Sequence, residues 1–227
     1  PGTLGSSIDN HGKIESGAYG IYALSTTGAG VEVVNHKGAV IESPGVAVGV
    51  AEKLTLRNEG KIDGIVISGS FDDTVINKGK MGDLMLGEGV DTVKQKGDKA
   101  KAGLIDTDDG NDLVVLGKKA DKLLFNSTLS AATNVDTVKK FASGKDAIYL
   151  DDDIFTAIAP GTLSAAAFHK GTSAADADDR IIYDKASGAL YYDPDGTGAL
   201  AQTQFARFDG GPKLKASDFM IGEYSIV

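Results

Sequence analysis

The stretch Leu86-Gly87-Glu88-Gly89-Val90-Asp91-Thr92-Val93 is echoed a short way on by Asp108-Asp109-Gly110-Asn111-Asp112-Leu113-Val114. In both, glycine leads into an aspartate that is followed two residues later by an apolar residue. Glycine permits a tight turn with inward carbonyls, the aspartate adds a carboxylate beside them, and the apolar residue begins a short core-facing strand. Turns of this kind, repeated along a chain, stack into a coil. The Asp-x-apolar step recurs at Asp73-Thr74-Val75, Asp121-Lys122-Leu123, Asp136-Thr137-Val138 and Asp146-Ala147-Ile148. Asp73 to Asp91 is 18 residues and Asp112 to Asp121 is 9, both multiples of a nine-residue unit. The other intervals, 21, 15 and 10, leave that register.

A second repeat precedes the first. Asn10-His11-Gly12-Lys13-Ile14, Asn35-His36-Lys37-Gly38-Ala39-Val40, Asn58-Glu59-Gly60-Lys61-Ile62 and Asn77-Lys78-Gly79-Lys80-Met81 share Asn, then Gly, then an apolar residue, and Gln95-Lys96-Gly97 is a degenerate fifth copy. The spacing is 25, 23, 19 and 18 residues. Periods in this range, with strands such as Leu54-Thr55-Leu56 and Gly64-Ile65-Val66-Ile67, mark a solenoid whose coils bury their apolar faces against one another. The expected fold is all-β: a right-handed parallel β-helix of about four or five coils tapering into a β-roll, followed by a small β-rich carboxyl-terminal cap. The expected divisions are residues 1–85 for the β-helix, 86–150 for the roll and 151–227 for the cap. The asparagines read as a side-chain ladder that satisfies turn backbone groups. His11 and His36 occupy equivalent places in consecutive coils and can stack.

Residues 1–9 read as a leading tail. Phe141 to Leu150 reads as a final strand covering the open end of the solenoid, and Asp151-Asp152-Asp153 as a solvated turn opening a helix or, less commonly for such a run, as the rim of another cation site. Residues 163–171 read as a short helix capped by Thr162 or Ser164. Arg180 to Asp184 and Ala189 to Asp193 form a hairpin across Lys185-Ala186-Ser187-Gly188. Asp193-Pro194-Asp195-Gly196 reads as a turn, with a third strand at Gln204–Phe208. The end, through Ile226-Val227, is apolar.

Composition narrows the partners. The 227 residues carry 32 acids against 23 bases for a net charge of −9, and Cys and Trp are absent. An acidic balance disfavours nucleic acid and anionic membranes and suits a cation binder. The absence of Cys excludes disulfide staples and thiolate metal sites. No apolar run approaches the ~18 residues of a membrane span, and no basic-then-apolar amino-terminal signal is present. The chain begins at Pro1 without Met, which reads as a fragment or a processed product.

The residues from Phe141 to Leu150, Asp179 to Asp184, Gly188 to Asp193, Asp195-Gly196-Thr197-Gly198, Phe205-Ala206 and Asp218-Phe219 resemble the terminal region of haemolysin-type calcium-binding (RTX) proteins of Gram-negative bacteria. The likeness covers about residues 86–227. It implies a parallel β-roll stabilised by Ca²⁺ and an uncleaved carboxyl-terminal signal read by a type I secretion system. The ligands it implies are Gly87, Gly89 and Asp91 in one turn and Gly110 and Asp112 in another, with Asp72, Asp73, Asp109, Asn111 and Asp121 as further candidates. Ca²⁺ takes about six to eight oxygens, so two stacked turns must share each ion.

Two functions follow as expectations. The first is a non-catalytic, secreted calcium-binding module at the end of a larger surface, matrix or adhesin-like protein, folding with Ca²⁺ after type I export and placed at the cell surface or outside it, where extracellular polysaccharide is a partner. The second is a β-helix module of a secreted polysaccharide-modifying enzyme, a lyase, hydrolase or epimerase. Against the second, residues 10–85 offer Asp72-Asp73 as their sole adjacent acid pair and contain no Gly-x-Ser-x-Gly motif.

Overall fold

Asn10, Asn35, Asn58, Asn77 and Gln95 stand in one register column of a parallel sheet. Each amide donates to the next carbonyl along the column, Asn10 to Asn35 at 2.9 Å, Asn35 to Asn58, Asn58 to Asn77 and Asn77 to Gln95 each at 2.8 Å. The second hydrogen of each asparagine amide goes to a backbone carbonyl: Val40, Lys61, Lys80 and Lys101 in turn. The side-chain oxygens of Asn10, Asn58 and Asn77 accept from the backbone N–H of Gly12, Gly60 and Gly79. Asn35, Asn58 and Asn77 are fully buried, so this ladder satisfies polar groups that would otherwise be stranded at every turn. It forms as the spacing of the asparagines predicts.

The computed structural model describes residues 5–24 and 29–224. The expectations for residues 1–4 of the leading tail and for Ile226-Val227 fall outside them. The chain is an all-β solenoid of two mostly parallel sheets. One sheet takes Ser6–Asn10, Val31–Asn35, Leu54–Asn58, Thr74–Asn77, Thr92–Gln95, Leu113–Val115, Asp136–Lys139 and Thr203–Asp209 as consecutive parallel neighbours. The other takes Lys13–Glu15, Val40–Val50, Lys61–Ile67, Leu84–Met85, Leu104–Asp106, Lys122–Phe125, Ala147–Asp151 and Phe219–Gly222. Each coil runs from the first sheet to the second and back, the earlier coils turning into the second sheet at Asn10, Asn35, Asn58, Asn77 and Gln95 and the later ones at Asp121 and Asp146, with Asp73, Asp91, Asp112 and Asp136 at the return. The core lies between the sheets. Val33, Leu56, Val75, Val93, Val114, Val138 and Phe208 fill it from one side, and Val66, Leu84, Ile105, Leu123, Ile148 and Phe219 from the other, all at most 2% exposed. One residue of each type per coil is what a solenoid needs, because a coil buries its apolar face only against its neighbours.

The carboxyl-terminal region differs from its sequence reading in three places. Ala147–Asp151 is not the last strand: Thr203–Asp209 and Phe219–Gly222 return to pair parallel with Asp136–Lys139 and Ala147–Asp151, adding a further coil. The helix expected at 163–171 does not form. Ala167 N–H is held by the Ser164 carbonyl and hydroxyl in a turn, and Phe168–His169 pairs with Ile181–Ile182, so Phe168 packs 5.5 Å from Phe219 and tertiary pairing overrides the helix propensity of the alanines. Asp151-Asp152-Asp153 opens no helix either, and Asp151 instead accepts from the N–H groups of Asp153 and Tyr224. At the other end, Ser6–Asn10 is a strand paired with Val31–Asn35 rather than a tail.

The hairpin is found as expected, Ile181–Asp184 antiparallel to Ala189–Tyr192, with Gly188 in the left-handed region at φ 81°. Asp193 Oδ1 accepts from the N–H groups of Asp195 and Gly196, so that segment is a turn. Phe205 locks the cap to the solenoid, with ring centroids 5.2 Å from Phe125 and 5.1 Å from Phe155. Among the described residues no helix is long and apolar enough to cross a membrane.

Candidate metal centre

Because Thr74, Thr92, Leu113 and Thr137 are in register, the residues before them stack as well. Asp73, Asp91, Asp112 and Asp136 therefore form one column along the edge where the chain passes from the second sheet to the first. All are at most 4% exposed. The carboxylates cap the backbone of the preceding coil: Leu54 N–H donates to Asp73 at 2.5 Å, Asp73 N–H to Asp91 and Asp91 N–H to Asp112 at 2.7 Å, and Asp112 N–H to Asp136 at 3.1 Å. Each of these bonds uses one oxygen. The other oxygen, Oδ2, of Asp73, Asp91 and Asp112 is buried with no hydrogen-bond partner.

Beside the column lie the glycine turns. Gly87 and Gly89 adopt φ of 77° and 142°, and one coil on Asp108 and Gly110 take 59° and 152° at the equivalent places. Asp108 thus substitutes for a turn glycine, an exchange that aspartate tolerates because it enters the left-handed region more readily than most residues. A Cβ at Gly110 would lie 1.9 Å from the carbonyl oxygen of Gly89, and one at Gly87 would lie 2.5 Å from that of Gly69. At Gly87 and Gly110 the neighbouring coil lies too close for a side chain.

The spacing that looked irregular keeps this register. Between Asp91 and Asp112 the three residues beyond 18 sit on the opposite edge, where Gln95 to Leu104 spans more residues than Asn77 to Asp83. Between Asp112 and Asp136 the extra length forms the loop 126–135 on the aspartate edge. Asp121 and Asp146 account for the 15- and 10-residue intervals by standing on the other edge, where Asp121 N–H donates to Asp146. Asp121 therefore does not join Asp91 and Asp112. Its Oδ2 accepts from Gly117 N–H and its Oδ1 is buried without a partner.

The remaining candidates flank the column. Asp72 and Asn111 are exposed and accept from the N–H groups of Val90 and Val135. Asp109 is exposed and accepts from the Asn134 amide at 3.2 Å. Sequence reasoning missed Asp106, Asp108 and Asp136 as members of the site. Asp106 is 1% exposed, with its oxygens taken by Asp108 N–H and the Asn126 amide. The signal for Asp136 was present in its Asp-x-apolar step, but nothing in the sequence signalled Asp106, because it ends a strand rather than preceding one.

Burial raises the proton affinity of the whole cluster. Loss of solvent, with like charges alongside, pushes Asp91 up to about 8 and Asp106 to about 7. Burial likewise lifts Asp73 and Asp112 to about 6, and Asp136 well above the usual carboxylate range. A stack of buried carboxylates disfavours its own ionisation unless a cation is near. Buried carboxylate oxygens without partners, beside glycine turns that present bare backbone, are donors of the kind a hard divalent cation such as Ca²⁺ takes, although among the described residues the one group of three or more that brings its ligand atoms within 4.8 Å of one another is Asp9, His11 and His36. Asp73, Asp91 and Asp112, with backbone carbonyls of the Gly87–Val90 and Asp108–Asn111 turns, are the groups that would hold it.

At the amino-terminal end His11 and His36 stack as expected, with centroids 3.9 Å apart and planes 12° from parallel. Asp9 bonds His36 Nε2 at 2.5 Å and lies 3.5 Å from His11 Nε2, and the hydrogen bond from His36 holds its carboxyl below the usual range. Both imidazoles are engaged by this one carboxylate at the surface.

The fold and the site together define a parallel β-solenoid with an edge of stacked, buried carboxylate turns. Comparison with protein-family models gives no match, and comparison with curated proteins gives none at a significant level.

Proposed function

We propose that this chain is a calcium-stabilised structural module of a larger secreted surface, matrix or adhesin-like protein, of the haemolysin-type (RTX) kind, exported by a type I secretion system and folded outside the cell. The observation that supports it is the column Asp73, Asp91 and Asp112, each carboxylate buried with one oxygen capping a backbone amide and the other without a partner. Bound Ca²⁺ supplies positive charge and replaces the lost hydration of these oxygens. The protein's part is to hold three coils in register so that their carboxylates line one edge. A ligand that binds only the folded chain stabilises it by mass action. Where calcium is scarce, as in a cytosol, the stacked carboxylates disfavour closure, and where it is abundant the roll closes.

Thermal unfolding followed by circular dichroism, with millimolar Ca²⁺ and with chelator, tests the reading. A large upward shift of the midpoint in Ca²⁺ supports it, and identical curves refute it. Equilibrium dialysis of Asp91→Asn beside the unsubstituted chain then assigns the site.

A further inference from the structure

The edge opposite the aspartate column carries the reverse charge. There the Asn-type turns of successive coils surround an open cleft of about 1140 Å³, lined by eight lysines and only two carboxylates, Glu59 and Asp98. Lys61 and Lys78 are paired with Asp63 and Glu59. Lys37, Lys80, Lys96, Lys99, Lys101 and Lys119 have no ion-pair partner among the described residues. This concentration of free positive charge stands out in a chain whose net charge is −9.

Its arrangement is regular. Lys61, Lys80 and Lys101 occupy the same register position on consecutive coils, so their backbones repeat at about 4.8 Å along the solenoid axis. Lys78 and Lys96 follow Asn77 and Gln95 of the amide ladder, which pins their backbones at the same interval. The floor between them is bare backbone at Gly60 and Gly79, where a Cβ would lie 2.2 and 2.0 Å from a carbonyl oxygen of the neighbouring coil. The residues 96–101 that lengthen one coil form part of the wall. Like charges in a row repel, and an extended ligand with negative charge along its length relieves that repulsion over several coils at once.

We propose that this cleft binds an acidic, uronate-rich polysaccharide along the solenoid axis. Its lining has no aromatic ring on which a base could stack and no arginine to grip phosphate with two hydrogen bonds, which separates it from a nucleic-acid groove. Lysines on flexible stems, with open glycine turns between them, match carboxylates spaced along a sugar chain. This inference goes beyond the calcium reading and rests on the fold alone.

The test is titration of the full chain, in Ca²⁺, with oligogalacturonate too short to gel. The expected result is saturable binding that weakens as NaCl rises, roughly tenfold weaker for Lys80→Gln/Lys96→Gln/Lys101→Gln and unchanged for Lys213→Gln, an exposed lysine outside the cleft. Affinity that falls with NaCl but does not rise with Ca²⁺ beyond the amount that folds the chain distinguishes this site from carboxylates bridged by calcium on the opposite edge. A melting curve confirms that the triple variant is folded, and if it is not, the single Lys96→Glu change at the exposed loop replaces it. Equal binding by the triple variant overturns the proposal. So does single-stranded DNA binding as tightly with the same lysine dependence.

Discussion

The backbone N–H of Asp73 donates across 2.7 Å to Asp91 Oδ1, while Asp91 Oδ2 lies buried without a partner. One oxygen of this carboxylate thus closes the coil in front of it, and the other makes no hydrogen bond. Acceptor and charge separate under substitution. Asp91→Asn keeps the acceptor and removes the charge. In chelator its midpoint equals or exceeds that of the unsubstituted chain, because a buried charge has gone. In Ca²⁺ near a hundred times Kd it falls short by about 5–10 °C. Equal losses in both conditions, read by circular dichroism, would make Asp91 a turn residue only.

The raised carboxylates predict an unusual pH profile. Asp91, Asp106, Asp73 and Asp112 bind protons more tightly folded than unfolded, where each titrates near the ordinary value of 3.8. Their contribution is therefore complete below about pH 4 and is lost as pH rises through about 6 to 8. Without calcium the midpoint should fall between pH 5 and pH 8. With saturating Ca²⁺ that decline should flatten or reverse, since the cation competes with protons for the same oxygens. Melts across this range with and without chelator decide it.

Asn58 is fully buried and bonded to Asn35, Asn77, Gly60 and Lys80. Asn58→Ala should cost roughly 2–4 kcal/mol, because four partners lose their bonds in a dry site. Urea unfolding should show the same loss with calcium and with chelator, as the ladder lies on the other edge.

Two glycines with positive φ separate strain from packing. Gly97 has φ 82° with nothing within 4 Å of a Cβ, so Gly97→Ala should cost about 1–2 kcal/mol, the price of the left-handed backbone alone. At Gly110 a Cβ would strike the Gly89 carbonyl oxygen. Gly110→Ala should cost clearly more and weaken calcium affinity, measurable by dialysis, because two candidate turns are pushed apart.

Phe205→Ala should destabilise by about 3–5 kcal/mol, since the ring contacts both Phe125 and Phe155. Hydrogen exchange should then show early opening of Thr203–Asp209 and of its neighbour Asp136–Lys139.

Much of this was legible in the chain. The Asn-x-Gly period and the Asp-x-apolar steps announce stacked coils, because a solenoid must place the same residue types at each turn to satisfy the same backbone groups. The hairpin was legible for a similar reason, its two strands and Gly188 being local. The helix expected at 163–171 was not, since its alanines favour a helix only until Phe168 finds its place near Phe219.

By itself the sequence determined the β class, the repeat, the amide ladder and the turn carboxylates Asp73, Asp91 and Asp112, all of which follow from local turn chemistry. Only the tertiary structure decided which turns share an edge. Coil lengths vary because inserted residues are absorbed in loops, so Asp91 and Asp112 align across 21 residues while Asp112 and Asp121, 9 apart, face opposite ways. The same sorting gathers Lys61, Lys80 and Lys101 on one edge and Asp73, Asp91 and Asp112 on the other, since a half-coil step reverses the edge and linear spacing does not record how many residues each edge has taken up.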